Sequence, residues 1–575
     1  MATTTRKVKG KTYQTFLLRR NYREGGKVKH ETVGNISHLP PQLIELIRRG
    51  LRGETIAPAS ELFEIKRSLP HGHVSAVLGT IANTGLEEML ASRPSRERTL
   101  VTAMIAERLI NPDSKLATAR HFAGDTAASS LSAILGVEEA DADDLYGAMD
   151  WLYNRKDAIE TKLAAKHLSE GALILYDGSS SYYTGTTCPL AKFGKDSHTG
   201  FPQINYGLLC NKEGCPVAVE IMEGNIGDAK ALGRHIEKVR SRFGLRRVIL
   251  VGDRGSITSA RISKEIKPAQ GMDWITALRA PAIQELAAQG LIQPSLFDER
   301  DMAEIKSPDY PGERLMVCRN PFLAQERTRK REDLLRATEK ELAKIAAAVG
   351  RSSRRLNGSA AIGMRIGKVI GHYKMKKHFI LSITDDSFSY QRDNRAIEAE
   401  AALDGIYVIR TSVGAEVLSG EETVARYKDL AFVERAFRCL KTVDLHVRPI
   451  YHRLPERVTA HIFLCVPAYY IEWHMRRALA PLLFEDEEKE YARTLRASVV
   501  APAVRSPAAE EKAWKRKTAE GMPVHSFRTL LQDLATLARN RVSPGGAGAA
   551  EFFMLTSPTP LQKRMFELLG VKLAV

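Results

Sequence analysis

Two aspartates follow runs of apolar residues that read as buried strands: Asp177 after ALILY (172–176) and Asp253 after RRVILVG (246–252). Uninterrupted apolar runs of this kind are what a strand covered on both faces requires. Gly178 and Gly255 let the chain turn just beyond the acids. In sheets with parallel strands, ligand sites gather where the strands end. Two bare carboxylates brought together repel, and one keeps its proton. A divalent cation removes that penalty, and Mg²⁺ takes oxygen ligands. Taken singly, each acid is equally an ordinary Asp–Gly turn.

A third acid lies far downstream in YKDLAFVERAFRCLK (427–441). On a helix advancing about 100° per residue, Tyr427, Glu434 and Lys441 drift by only about 20° per seven-residue step. The spacing therefore predicts one helix with these three on one edge. Leu430, Val433, Phe437 and Leu440 form an apolar stripe beside them, which sets Glu434 at the rim of the buried face. Arg438 and Lys441 continue that edge with positive charge, suited to phosphate oxygens. An exposed acid beside an apolar stripe is also what an ordinary amphipathic helix shows.

The elements that must position these acids form a recognisable order. ALILY, INYGLLCNKEG and CPVAVEIMEGN read as three consecutive strands, followed by the helix DAKALGRHIEKVRSRFG, the strand RRVILVGDRG, the helix SITSARISKEIK and the strand DWITALR. That is the order of a ribonuclease-H-like (retroviral-integrase-like) α/β core. The expected organisation is a basic β-hairpin module (1–60), a helical domain (61–168), the first part of the core (169–279), an insertion domain (280–402), the second part of the core (403–485) and a C-terminal helical tail (486–575), a possible dimerisation element. Within 280–402, ERTRKREDLLRATEKELAKIAAAV reads as a charged helix.

The formal net charge of +17 favours a polyanionic partner, most commonly nucleic acid. Twelve basic residues against four acidic ones fall in the first 60 positions, a density that suits a backbone-binding module. No stretch approaches the roughly 20 apolar residues of a membrane span, and MATTTRKVKGKTYQ lacks an apolar signal region. The expected location is cytoplasmic, associated with the nucleoid. Six cysteines fit a reducing compartment. Cys210 and Cys215 are close enough to suggest a metal knuckle, but the NKEG between them reads as a hairpin turn. With no second Cys/His pair at zinc spacing, these thiols read as structural. GMRIGK (363–368) is too short for a phosphate-binding loop, so no nucleotide cofactor is expected. Ser179–Ser181 lacks a placed base and reads as turn chemistry.

Together, an Asp in YDGSSSYY, a second in VGDRG and a Glu in a Y-(2)-R-(3)-E-(6)-K arrangement resemble the DDE transposases of bacterial insertion sequences, in the branch with a long insertion before the Glu. GNIGD (224–228), DGIYVIRTS (404–412) and YHRLPERVTAHI (451–462) also resemble this group, and the similarity spans roughly 170–475. The resemblance implies that Asp177, Asp253 and Glu434 hold two Mg²⁺ ions, with Mn²⁺ able to substitute. It implies cleavage of transposon ends and their joining to target DNA, with terminal inverted repeats and target duplex as partners and a homodimer on DNA. Tyr427 and Lys441 occupy signature positions. Arg438, Arg453 and His452 are further DNA-contact candidates, although His452, Arg453 and His461 equally suit capping and packing of the following helix. The signature arginine is replaced by Leu430, for which Arg426, Lys428 or Arg438 are the candidate substitutes. A nuclease on the same fold, or an inactive DNA-binding derivative, are the alternative readings.

Overall fold

The structure, a computed structural model, describes residues 1–574 except 55–62, 195–199, 298–299 and 545–549. It divides into two compact units, 1–69 with 538–557, and 70–537 with 558–574.

In the first unit, strands β1 (Ala2–Val8), β2 (Lys11–Glu24) and β3 (Lys27–Asn35) form an antiparallel sheet, followed by helix α1 (Pro41–Gly50). The predicted hairpin is β2–β3, turning on Gly25 and Gly26, both at positive φ. The first strand was not expected. ATTTRKV has no apolar periodicity, and β1 forms by register pairing with β2 from Ala2↔Leu17 to Val8↔Lys11. Strand β4 (Phe63–Pro70) pairs in a second small sheet with strands Ala538–Pro544 and Phe552–Leu555.

The second unit opens with helices, the longest being α2 (Gly72–Thr84), α3 (Arg96–Ile110) and α4 (Ala142–His167). Asp141 starts α4 with a reciprocal capping box to Asp144. The expected order then appears as β5 (Ala172–Tyr182), β6 (Gln203–Asn211), β7 (Pro216–Glu223), α5 (Asp228–Glu237), β8 (Val248–Gly252), a short helical stretch and β9 (Met272–Ala277). Strands β5, β6 and β7 form an antiparallel meander, whereas β5–β8 and β8–β9 are parallel. The β6–β7 hairpin turns on Gly214 at φ +83°, and Asn211 Oδ1 accepts the backbone N–H groups of Glu213 and Cys215.

The segment 280–402 is not separate from this sheet. Its strands β10 (Met302–Ile305) and β11 (Arg314–Arg319) extend it, giving the eight-stranded mixed order β10-β11-β14-β9-β8-β5-β6-β7, with β14 at Ile406–Thr411. Only its central part, helices α6 (Pro321–Val349) and α7 (Ser359–Tyr373) with the hairpin β12 (Phe379–Ile383) and β13 (Phe388–Arg392), has a core of its own, around Leu335, Leu342, Ile362 and Ile366.

The helix expected over 427–441 is broken. Helix α8 (Gly420–Lys428) ends at Asp429, α9 (Leu430–Arg438) follows, and Cys439–Val443 is a wide π-type turn. Asp429 is buried and ion-paired with both Arg426 (3.0 Å) and Arg493 (3.1 Å), which fixes the bend. Tyr427, Glu434 and Lys441 therefore do not share one straight edge. The bend lets α8 lie over β8, β9 and β14 while α9 lies over β5 and β6. Helix α10 (Pro455–Ala478) is buried along most of its length against α2, α3, α4 and β7, and helices α11 (Phe527–Ala535) and α12 (Pro560–Leu569) pack on α2.

Candidate active site

Strands β5 and β8 run side by side in the same direction, with Tyr176 paired to Gly252. Asp177 and Asp253 follow this pair and so stand at one level of the sheet, Asp253 just past the end of β8 and Asp177 in mid-strand, because β5 runs straight through Gly178 to Tyr182 instead of turning there. Both are partly buried. Gly178 N–H donates to Asp177 Oδ1 at 2.8 Å. Asp253 Oδ1 accepts from Gly255 N–H (3.0 Å) and Ser256 N–H (2.7 Å), an Asx turn that fixes the carboxylate's orientation. Thr276 Oγ1 donates to the Asp253 carbonyl at 3.1 Å, tying that strand end to β9.

Glu434 is exposed on α9, whose opposite face buries Leu430, Val433, Ala436 and Phe437. Phe437 meets the ring of Tyr206 on β6 edge-on at 5.7 Å, and Tyr206 Oη is bonded to Ser181 Oγ on β5 at 2.8 Å. These contacts hold α9 across the strand that carries Asp177. Tyr427 is half-buried on α8. Burial first, then the negative charges of Asp253, Glu434 and Asp177, push its phenol up to about 12, with Arg254 opposing.

Lys441 lies partly buried in the π-type turn, and Arg438 is exposed. His452 and Arg453 lie further along the sheet edge. Tyr183 Oη donates to the His452 carbonyl at 3.1 Å, and Tyr183 is six residues beyond Asp177, roughly 20 Å of extended strand. Arg453 is exposed. The His452 ring packs between Tyr146 (5.9 Å) and His461 (5.1 Å). Burial, reinforced by Lys115, Arg457 and Arg108, pulls its pKa down to about 4. His461 is buried, with Nε2 donating to the Val447 carbonyl at 2.9 Å.

Leu430 is 8% exposed and belongs to the main core, so its position on this helix faces inward. Of the basic residues considered in place of the signature arginine, Arg426 is paired with Asp429, and Lys428 Nζ donates to the Val500 carbonyl at 3.1 Å. Arg438 keeps its exposure. Arg254, adjacent to Asp253 and exposed, was not singled out from sequence. Its charge reaches Tyr427 only because the β8 turn meets α8, a non-local contact that no motif records.

The chemistry of the donor set fits hard divalent ions: three carboxylates bring oxygen ligands and no sulfur or nitrogen. Among the described residues, two side-chain trios have ligand atoms all within 4.8 Å of one another, His167–Cys215–His474 and Cys439–Asp444–Glu472; the three carboxylates are not among them.

Asp177 and Asp253 thus stand side by side on neighbouring parallel strands, and α9, which carries Glu434, packs on β5 and β6. Residues 169–471, more than half of the chain, match the family described as "Transposase DDE domain", and the chain belongs to that family. Residues 1–59 match the "IS1634 family transposase, N-terminal domain". The protein is thus a DDE-type DNA transposase of the bacterial insertion-sequence kind. No curated protein matches the chain. Among solved structures, a cryo-EM structure of the piggyBac transposase synaptic complex with hairpin DNA aligns with TM-score 0.32 and 8% identity, over 80% of this chain and 76% of that one. Among the described residues no helix is long and apolar enough to cross a membrane.

Proposed function

We propose that Asp177, Asp253 and Glu434 are the catalytic triad and that they hold two Mg²⁺ ions, or Mn²⁺ in their place, on a ribonuclease-H-like core. The β7-β6-β5-β8-β9 segment of the sheet, with its antiparallel meander and parallel pairs, supports that reading of the fold. The observation that carries the triad is the register that sets Asp177 beside Asp253, with α9, which bears Glu434, packed over β5. A two-ion site spreads its outer ligands further than a single-ion cluster does. When bound, the ions supply Lewis-acid stabilisation of the attacking and leaving oxygens.

The chain's own groups do the rest. The Asx turn at Asp253 pre-orients one carboxylate, and Gly178 N–H orients the other. Tyr427, kept protonated at neutral pH, donates a hydrogen bond to a phosphate oxygen. Arg438, Lys441 and Arg254 neutralise the scissile strand, and Arg453 holds duplex further along the sheet edge. His452, neutral at pH 7, shapes that edge by packing. The same site cuts the element's ends and joins the freed 3′-hydroxyl to target DNA without a covalent protein–DNA intermediate. The basic module 1–60 and the helical segment 61–168 recognise the terminal inverted repeats, and a homodimer brings two ends together.

The test uses a duplex carrying the element's end, with and without Mg²⁺. Asp177→Asn, Asp253→Asn and Glu434→Gln each abolish cleavage while DNA binding persists. Retained cleavage in any variant removes that residue from the site. Pre-cut ends offered with target DNA distinguish a transposase from a nuclease, which yields no joined product.

A further inference from the structure

We propose that His167, Cys215 and His474 form a second metal site, specific for a borderline-soft ion of the Zn²⁺ type and structural in role. The three donors come from the end of α4, the β6–β7 hairpin and α10, and their ligand atoms all lie within 4.8 Å of one another. Nitrogen and sulfur donors at tetrahedral-site spacing select Zn²⁺ over Mg²⁺. Sequence spacing does not reveal this grouping, because the partners of Cys215 lie 48 residues before it and 259 after it, outside any local zinc spacing.

Three further observations favour an ion here. Cys215 is fully buried, and His474 Nε2 is buried with no hydrogen-bond partner, an orphaned polar atom in the middle of the trio. His167 Nε2 is bonded to Tyr470 Oη at 3.0 Å, an outer contact of the kind that orients a ligating imidazole. In the second trio, Cys439–Asp444–Glu472, Glu472 Oε2 is likewise buried without a hydrogen-bond partner, but the charge there is already compensated. Arg476 already donates to Glu472 Oε1 (2.6 Å) and Asp444 Oδ2 (2.9 Å), so a cation is in place. Three protein ligands leave a fourth position for water. Binding replaces the Cys215 S–H bond by an S–Zn bond and releases one proton to solvent.

The site sits behind the candidate active centre. Gly214, next to Cys215, lies so close to Phe432 of α9 that a Cβ there would be 2.7 Å from the Phe432 Cβ. Pinning the hairpin to α4 and α10 thus supports the helix that carries Glu434 two residues further on.

The full-length protein, stripped with chelator, is titrated with Co²⁺ and then Zn²⁺. One equivalent of Co²⁺ gives a near-ultraviolet thiolate-to-cobalt band, and Zn²⁺ abolishes it. Cys215→Ala loses the band, Cys210→Ala keeps it, and Tyr470→Phe keeps it with affinity weakened roughly 10-fold. Asp253→Asn leaves the Zn²⁺ stoichiometry at one, which separates this site from the catalytic one. Absence of the band in the folded wild-type protein, or its persistence in Cys215→Ala, overturns the proposal. If Cys215→Ala does not fold, loss of the band in His474→Gln decides in its place.

Discussion

Tyr176 and Gly252 are register partners in the parallel ladder of β5 and β8. Because both strands run the same way, the residues that follow, Asp177 and Asp253, stand side by side where the parallel ladder ends. A slip of one residue in this ladder would turn one acid to the opposite face. The register is guarded by close packing. Tyr176 lies on His235 at 5.0 Å, and a Cβ on Gly207 would come within 2.8 Å of Tyr176 Oη. Gly252 is equally confined, with Ile257 Cγ1 at 2.8 Å from where its Cβ would stand.

Gly255→Ala tests how finely the Asp253 carboxylate is placed. A Cβ at 255 would stand 3.1 Å from Asp253 Oδ2 and 3.4 Å from Oδ1, so the carboxylate must shift by a few tenths of an ångström. Small misplacements of a reacting group cost up to about 100-fold in rate. The expected result is a roughly 10- to 100-fold slower end cleavage with unchanged DNA binding and melting temperature. Wild-type rates in Gly255→Ala would show that the Asx turn does not set the reactive geometry.

Tyr427→Phe tests the role of the phenol. With its pKa pushed up to about 12 by burial and by the three acids, the hydroxyl is protonated throughout pH 7–9 and serves only as a donor. Removing it slows cleavage by roughly 10-fold, the scale of one charge-assisted hydrogen bond. The shape of the pH–rate profile stays the same. A lost basic limb in the variant would mean instead that Tyr427 ionises during turnover.

What could be read from sequence follows the range of the forces involved. The side-by-side placement of Asp177 and Asp253 was legible because burial on both faces writes itself into consecutive apolar residues, and an acid follows each run. The exposed place of Glu434 beside a buried helix face was legible through its apolar stripe. The bend at Asp429 was not, because half of its cause is Arg493, 64 residues away. Likewise β10 and β11 join the main sheet through Met316↔Ile409 and its neighbours, a pairing between chain segments with no shared local signal. Leu430, a departure from the family signature, is accounted for by a side chain that faces the core.

Glu160→Gln probes how the helical segment is fastened to the sheet. Glu160 is fully buried on α4 and accepts from the β7 backbone at Val219 N–H (2.9 Å), while Lys156 (2.8 Å) and Lys238 (2.9 Å) surround it. Removing the carboxylate's charge leaves the buried Lys156 without its carboxylate and Lys238 with Glu220 alone (3.0 Å), a change that costs about 3–5 kcal/mol. Denaturant unfolding of the full chain should show a midpoint shift of that size, cooperative with loss of the core. A shift below about 1 kcal/mol, the value of an exposed pair, would show that solvent reaches the cluster.

Acid sensitivity is the remaining expectation. Burial is the first cause of a lowered pKa in His73 and His452, each pulled from 6.5 to about 4, and in His461, which is driven well below its ordinary value. A histidine whose folded pKa is depressed is neutral in the native state and binds a proton more readily when unfolded. Its stabilising share is therefore complete above about pH 6.5 and lost as pH falls toward 4. His121, raised by its hydrogen bond to Glu107, and Glu472, pushed up to about 8 by burial, act in the opposite sense, against these three and His167, His235 and His474, which burial also lowers. The melting temperature should fall steadily from pH 7 to pH 4.5, and His73→Gln should flatten part of that slope. A melting temperature constant across this interval would mean that the buried rings gain protons without opening the fold.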